Sequence, residues 1–203
     1  MLVRTYKKMM EIFEKNLGYA SFAELKKYGV TSLQIHELEN EGLVEKFARG
    51  WYWCGESGVE KPKDYKYVEI AKAYPKAIVC MESACYLNGF TDKEPEVPTV
   101  ATGRSDRGKV DTVYPVKRFY LQNAGIKGEI VKVHTKFGDY QYYSPERTMC
   151  DCIRMKDKVD QEIYFDVLEK YDKNYKGKDV IYEYAKRLRA LQNILQEEEK
   201  LNK

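Results

Sequence analysis

The sequence predicts an α+β chain, and three observations predict it. Residues 3–42 carry three apolar stretches at helical spacing, each followed by a glycine. From Leu43 on, and again between Glu96 and Ser144, β-branched and aromatic residues alternate with polar ones as they do in strands. After Pro145 the helical period returns and persists almost to the end of the chain.

The first helix, about Val3 to Asn16, places Tyr6, Met9, Met10, Ile12 and Phe13 at helical spacing, and Gly18 is a natural left-handed terminator. "SFAEL" follows. Ser21 as N-cap with Glu24 three residues on is a capping box, in which each side chain satisfies an amide that the first turn leaves unpaired. This second helix runs to about Lys27 and is broken by Gly29. "TSLQIHELENEG" opens the third with a second box, Thr31 and Gln34, and Gly42 closes it. "LVEKFARGWYW" then reads as two strands about a tight turn at Arg49-Gly50. Three helices and a hairpin are the order of a winged helix-turn-helix, whose third helix enters the major groove while the hairpin lies along the backbone. The polar stretch "CGESGVEKPKDYK" reads as a linker. It divides the chain into a DNA-binding domain over residues 1–60 and a mixed α+β domain over 61–203.

Helical geometry selects the candidate contacts. With Ile35 and Leu38 facing the core, about 100° per residue turns Leu33, His36, Glu37 and Asn40 outward, with Ser32 beside them as a further base reader. Lys46 and Arg49 on the hairpin, with Arg4, Lys7 and Lys8 on the first helix, are the candidate phosphate contacts. Residues 1–57 balance eight basic against eight acidic side chains, and Glu37, Glu39 and Glu41 load the reading helix with negative charge. That charge opposes phosphate, so a winged helix used for protein contacts stands beside the DNA reading.

The second region begins with a helix from about Tyr65 to Tyr74, stopped by Pro75. "AIVC" is a short strand, and "MESACYLNGF" a short helix ended by Gly89. "EVPTVAT", "VDTVYPVKRFYLQN", "GEIVKVHTK" and "YQYYS" complete a mixed sheet of four or five strands, with a turn at Gly138-Asp139. In "SPERTMCDCIR", Ser144 is a good N-cap, Pro145 suits the first helical position, and Glu146 meets the positive end of the helix dipole. Met149, Cys152 and Ile153 form its buried stripe. Arg147 and Asp151, four apart, can pair along the helix and are expected to bond to the sheet or across domains. A helix over Gln161 to Tyr171 and a long one from about Asp179 to near Glu199 follow, the latter with Val180, Tyr184, Leu188, Leu191 and Leu195 on one stripe.

Composition excludes several classes. The 203 residues are 43% hydrophobic, enough for a proper core, yet no run approaches the roughly eighteen apolar residues of a membrane span. Five cysteines without small-secreted-domain character read as reduced, buried thiols, so a cytoplasmic protein without membrane contact is expected. A net charge of +3 leaves any nucleic-acid contact to local clusters. Cys150 and Cys152 lie about 200° apart on a helix and cannot grip one ion, there is no C-x-x-C, and the two histidines, His36 and His134, lie in different domains. No metal and no cofactor is expected. No spacing selects a pairing of His134 with a cysteine, and "GRSDRG" lacks the phosphate-loop spacing and its lysine. Glu129 and Lys132 alternate to opposite faces of a strand, which disfavours a metal-dependent nuclease.

Four blocks in register also carry a resemblance: "GLVEKFARGWY", "PKAIVCMESACYLNGFTDKEP", "YSPERTMCDCIR" and "DVIYEYAKRL". Together they resemble the AbiEi-type antitoxins of bacterial type IV toxin-antitoxin, or abortive-infection, systems, over nearly the whole chain. Arg49, Gly50 and Tyr52 match the family's wing motif. Ser83, Ala84 and Gly89 match its central block, and Glu146, Arg147, Thr148 and Asp151 its C-terminal block. The resemblance implies a non-enzymatic transcriptional regulator of a phage-defence operon. Its winged helix would bind and repress its own promoter; by the docking geometry of helix-turn-helix proteins, two copies are expected on the two half-sites of an inverted repeat. Its C-terminal domain would neutralise a nucleotidyltransferase-like toxin without requiring a stable complex. At the reading helix, where that family tends to place arginines, this chain has His36, Glu37 and Glu39.

Overall fold

The computed structural model describes residues 3–106, 108–123 and 125–202, and these form an α+β chain of two compact units. Unit 1 runs to Pro75 and adds Lys109–Pro115 and His134–Asp139; unit 2 takes Lys76–Gly108, Val116–Val133 and the chain from Tyr140 on.

Unit 1 starts with α1 (Val3–Lys15), β1 (Tyr19–Ser21), α2 (Phe22–Lys27) and α3 (Ser32–Asn40), followed by β2 (Glu45–Ala48) and β3 (Trp51–Trp53). The strands form an antiparallel sheet of order β1-β3-β2. Met9 and Phe13 of α1 pack with Leu25, Val30, Ile35, Leu38 and Val44 into one core. Both capping boxes are formed: Ser21 N–H donates to Glu24 Oε2 at 2.8 Å, and Thr31 N–H to Gln34 Oε1 at 3.0 Å. Gly18, at φ 89°, is required sterically as well as by its backbone, because a Cβ there would lie 2.7 Å from Trp53 Nε1.

The boundary between the units falls at Pro75, later than the position near residue 60 that the polar stretch suggests. The reason is α4 (Tyr65–Ala73), which buries Tyr67, Val68, Glu69 and Ile70. Lys61, inside that polar stretch, bridges Glu45 of β2 at 2.8 Å and Glu69 of α4 at 3.0 Å, so the supposed linker is tied down at both ends. Burial pushes the Glu69 carboxyl above its ordinary range, and burial together with Glu69 pushes the Tyr19 and Tyr114 phenols up. The segment "VDTVYPVKRFYLQN" also divides. Its first part extends the hairpin of unit 1, where Arg49 N–H donates to Asp111 O at 3.3 Å and Val113 N–H to Phe47 O at 2.9 Å. Only Lys117–Tyr120 becomes a strand of unit 2.

Unit 2 holds β4 (Ile78–Val79), α5 (Met81–Leu87), β5 (Thr99–Thr102), β6 (Lys117–Tyr120), β7 (Ile130–Val133), β8 (Tyr140–Tyr143), α6 (Pro145–Arg154), α7 (Gln161–Asn174), α8 (Asp179–Leu188) and α9 (Leu191–Leu201). Its five-stranded sheet has the order β6-β5-β4-β8-β7 and is mixed, with β5·β6 and β4·β8 parallel. The turn from β4 into α5 passes through Met81 at φ 47°, a conformation that bulky residues avoid. Reciprocal bonds hold it: Ser83 N–H to Thr99 Oγ1 and Thr99 N–H to Ser83 Oγ, both 2.9 Å and buried. Asn88 Nδ2 donates to the carbonyls of Ala84 and Tyr143, linking α5 to β8.

The helix α6 buries more than the expected stripe: every residue from Arg147 to Ile153 is inside, because α5, α7, α8 and α9 all pack against it. Arg147 is 0% exposed. Its Nε donates to Asp151 Oδ2 at 2.6 Å, Nη1 to Glu129 Oε2 at 2.8 Å and Nη2 to the Gln122 carbonyl at 2.8 Å, and its guanidinium carbon lies 4.3 Å from the centre of the Tyr143 ring. Arg154 Nη2 takes the other Asp151 oxygen at 2.7 Å. All these partners lie within unit 2, so the expected bonds go to the sheet and not across domains.

The long C-terminal helix of the sequence reading is two helices. Arg189 adopts φ 57°, α8 stops at Leu188, and α9 starts at Leu191. Ala190 sinks into the core between them, and Arg154 Nη1 caps the Leu188 carbonyl at 2.9 Å, replacing the bond a continuous helix would have made. The break changes the buried face to Ile181, Tyr184, Ala185, Leu188, Ala190 and Ile194, leaving Val180 and Leu195 exposed. Among the described residues, no helix is long and apolar enough to cross a membrane.

The buried guanidinium sets an expected outcome. Arg147→Ala strands Glu129 and Asp151 and should cost about 3–5 kcal/mol in urea unfolding. Burial already pushes the Asp151 carboxyl up against the pull of Arg147 and Arg154. Removing one guanidinium raises it further, and a carboxylate whose folded pKa is raised loses stability as pH rises. The loss on substitution should therefore be larger at about pH 8 than at about pH 5; equal losses would contradict this.

Candidate nucleic-acid interface

The position of α3 follows from its cap and two inward side chains. Thr31 Oγ1 accepts from Gln34 N–H at 3.3 Å and starts the helix, and Ile35 and Leu38, 1% and 5% exposed, anchor it on the core. One face is left to solvent: Ser32, Leu33, His36, Glu37 and Asn40 are all exposed. The apolar Leu33 is 67% exposed. His36 Nδ1 lies 3.6 Å from Glu39 Oε2, within the same helix.

The candidate phosphate contacts divide. Arg49 is exposed at the tip of the β2–β3 hairpin, where Gly50 takes φ 73°; Lys46 is half-buried in β2 opposite Tyr52. Arg4 and Lys7 are exposed on α1, and Lys8 is half-buried. Among the described residues, none of these five cations is paired with a carboxylate, so each is available to an external anion. The residue that closes α3, Glu41, is exposed, as is Glu37. Both line a shallow hollow of about 260 Å³ with Val3 and Tyr6 of α1, whose phenol donates to Glu56 Oε2 at 3.0 Å. The structure thus sets the start of α1 beside the acidic side of α3. Lys26 and Lys27, exposed in the last turn of α2, are further basic residues of this unit that sequence spacing does not single out, since they read as ordinary helix-end cations.

All five cysteines are free and buried; Cys85 and Cys152 bring their sulfurs to 3.4 Å, and burial pushes the Cys150 thiol up to about 12, where it is no nucleophile at neutral pH. His134 is exposed in unit 1, the unit that also holds His36, and not in a different domain as expected, because His134–Asp139 joins that unit; its Nδ1 pairs with Asp139 Oδ2 at 2.9 Å. Glu129 is held by Arg147 and also accepts from Gly125 N–H at 3.1 Å. Among the described residues, no three His, Cys, Asp or Glu side chains form a group that could hold a metal ion.

No family model and no curated protein matches the sequence. A crystal structure of the RV2827C protein from Mycobacterium tuberculosis is similar in fold, with a TM-score of 0.68 at 13% identity, over 97% of this chain and 75% of that one. At this identity the likeness is one of fold alone.

The reciprocal cap gives α3 its starting residue, and its removal is measurable. Thr31→Ala should lower stability by about 1 kcal/mol in chemical denaturation, with the same cooperativity. A loss near zero would mean that core packing, and not the cap, sets where α3 begins.

Proposed function

We propose that the chain is a DNA-binding antitoxin and autorepressor of the AbiEi type, with α1 to β3 acting as a winged helix-turn-helix. The observation that carries the DNA half is the exposed face of α3, with Ser32, His36 and Asn40 on it and the unpaired Arg49 at the hairpin tip. Ser and Asn side chains read base edges, and a hairpin-tip arginine suits phosphate. In this reading two copies occupy an inverted repeat in double-stranded promoter DNA. The antitoxin half rests on the four sequence blocks, and its partner is a nucleotidyltransferase-like toxin. Since Glu37 and Glu41 repel phosphate, binding is weak, and its salt dependence comes from the cations that reach phosphate.

A second reading, an α3 that docks a protein, is favoured by one observation. Leu33 and Val3 are 67% and 72% exposed; Val3 lines the hollow with Glu37 and Glu41, and Leu33 stands one turn before Glu37 on α3. A protein partner tolerates that mixture better than a phosphate backbone does.

Electrophoretic mobility shift with the DNA upstream of the gene separates the two. A shift at low salt that fades at physiological salt is expected; no shift at either, with folded protein, ends the DNA reading. Replacing both Lys46 and Arg49 by Ala should weaken binding to all sequences alike and reduce the salt slope by about two. For the antitoxin half, full-length variants are better than truncations, because Lys109–Pro115 and His134–Asp139 belong to unit 1 and would be stranded in any fragment starting near residue 60. The Lys46→Ala, Arg49→Ala protein should still rescue cells expressing the neighbouring toxin; lost rescue would show that the two activities share one surface.

A further inference from the structure

Two hollows of unit 2 meet at the carboxyl ends of the parallel strands β5 and β6. One, of about 440 Å³, is lined by Lys76, Arg104 and Tyr143; the other, of about 340 Å³, by Tyr120, Arg154, Arg187 and Arg189. They share Arg104, Leu121, Gln122 and Asn123, and so form one trough.

The charge of this trough is one-sided. Five cations line it and no described lining residue is acidic. Part of that charge has internal work: Arg154 holds Asp151 and the Leu188 carbonyl, and Arg187 pairs with Glu183 at 3.3 Å. Arg104 and Arg189 have no carboxylate partner among the described residues. Arg189 moreover occupies φ 57° after the last turn of α8, a place where glycine or asparagine is the ordinary choice. An arginine there is unfavourable for the backbone, which its guanidinium at an anion site would offset. The rest of the lining suits a nucleoside. Tyr120 is 54% exposed, with Arg118 stacked 4.7 Å from its centre, and the exposed amides of Gln122 and Asn123 can donate to and accept from a base edge. The floor is rigid, since Arg147 pins the Gln122 carbonyl.

We propose that this trough binds a nucleoside phosphate, the phosphate on Arg104 and Arg189 and the base between Tyr120 and the two amides. The source is a free nucleoside triphosphate or single-stranded RNA. The proposal stands apart from the DNA reading of α3, which Lys46 and Arg49 test.

The test is equilibrium titration of the full chain with ATP, GTP, a short single-stranded RNA, its duplex DNA counterpart and inorganic tripolyphosphate. Each is titrated into the wild type and into the double variant Arg104→Ala, Arg189→Gly. Glycine suits the left-handed position, so the variant should melt no lower than wild type. ATP, GTP or RNA should bind the wild type, and the variant should bind about tenfold more weakly or worse. Saturation by a nucleotide that RNA does not better assigns the free ligand; RNA binding that nucleotides fail to displace assigns the strand. Absence of nucleotide and RNA binding, equal affinity of the variant, or tripolyphosphate or duplex DNA binding as tightly as the nucleoside ligands would each overturn the proposal.

Discussion

Unit 2 is organised around one buried cation. Arg147 sits on α6 with no exposure and reaches three other parts of the unit: Glu129 at the entry to β7, the Gln122 carbonyl beyond β6, and the Tyr143 ring at the end of β8. A bare guanidinium could not remain there, since the cost of desolvating it exceeds what any single contact returns. Two carboxylates, one carbonyl and one ring face satisfy it together. Each of those groups is correspondingly confined to the geometry of a rigid fork. Asp151 passes the constraint on to Arg154, which in turn caps the carbonyl end of α8. The break between α8 and α9, the burial of Ala190 and the floor of the arginine-lined trough are thus mechanically linked to one side chain.

Polar bonding does comparable work around α5. The Ser83–Thr99 pair ties α5 to β5, and Asn88 joins α5 to β8 while its Nδ2 also reaches Thr148 Oγ1 on α6 at 3.2 Å. Residues that resemble an active site in the one-dimensional chain are largely spent in this scaffold. Cations without a carboxylate partner among the described residues lie elsewhere, at Arg49 on the hairpin of unit 1 and at Arg104 and Arg189 of unit 2.

The two candidate surfaces differ in physical character. The α3 face mixes Asn40 and His36 with Glu37, so in the proposed DNA reading its affinity would depend on cations supplied by neighbouring elements. The trough of unit 2 is concave and of one sign, which concentrates the field on a small anion. A charge-mixed helix face and a concave basic pocket suit different ligands.

The sequence by itself determined the local structure. The glycines after α1, α2 and α3, the capping boxes at Ser21 and Thr31, the Arg49-Gly50 turn and the Ser144-Pro145 helix start all depend on residues within a few positions of one another, and they appear where spacing puts them. The outward face of α3 was legible for the same reason, because two buried residues fix the rotation of a helix. Tertiary structure alone decided what depends on distant partners. Nothing near Lys61 announces Glu45 and Glu69, so the stretch around it reads as a linker although it is an internal strut. Arg189 breaks a helix that its own neighbours favour, because Ala190 is worth more in the core and Arg154 supplies the missing bond. Arg104, Arg154 and Arg189 share no periodicity that could have joined them; the sheet and α6 bring them to one trough, and only folding makes a site of them.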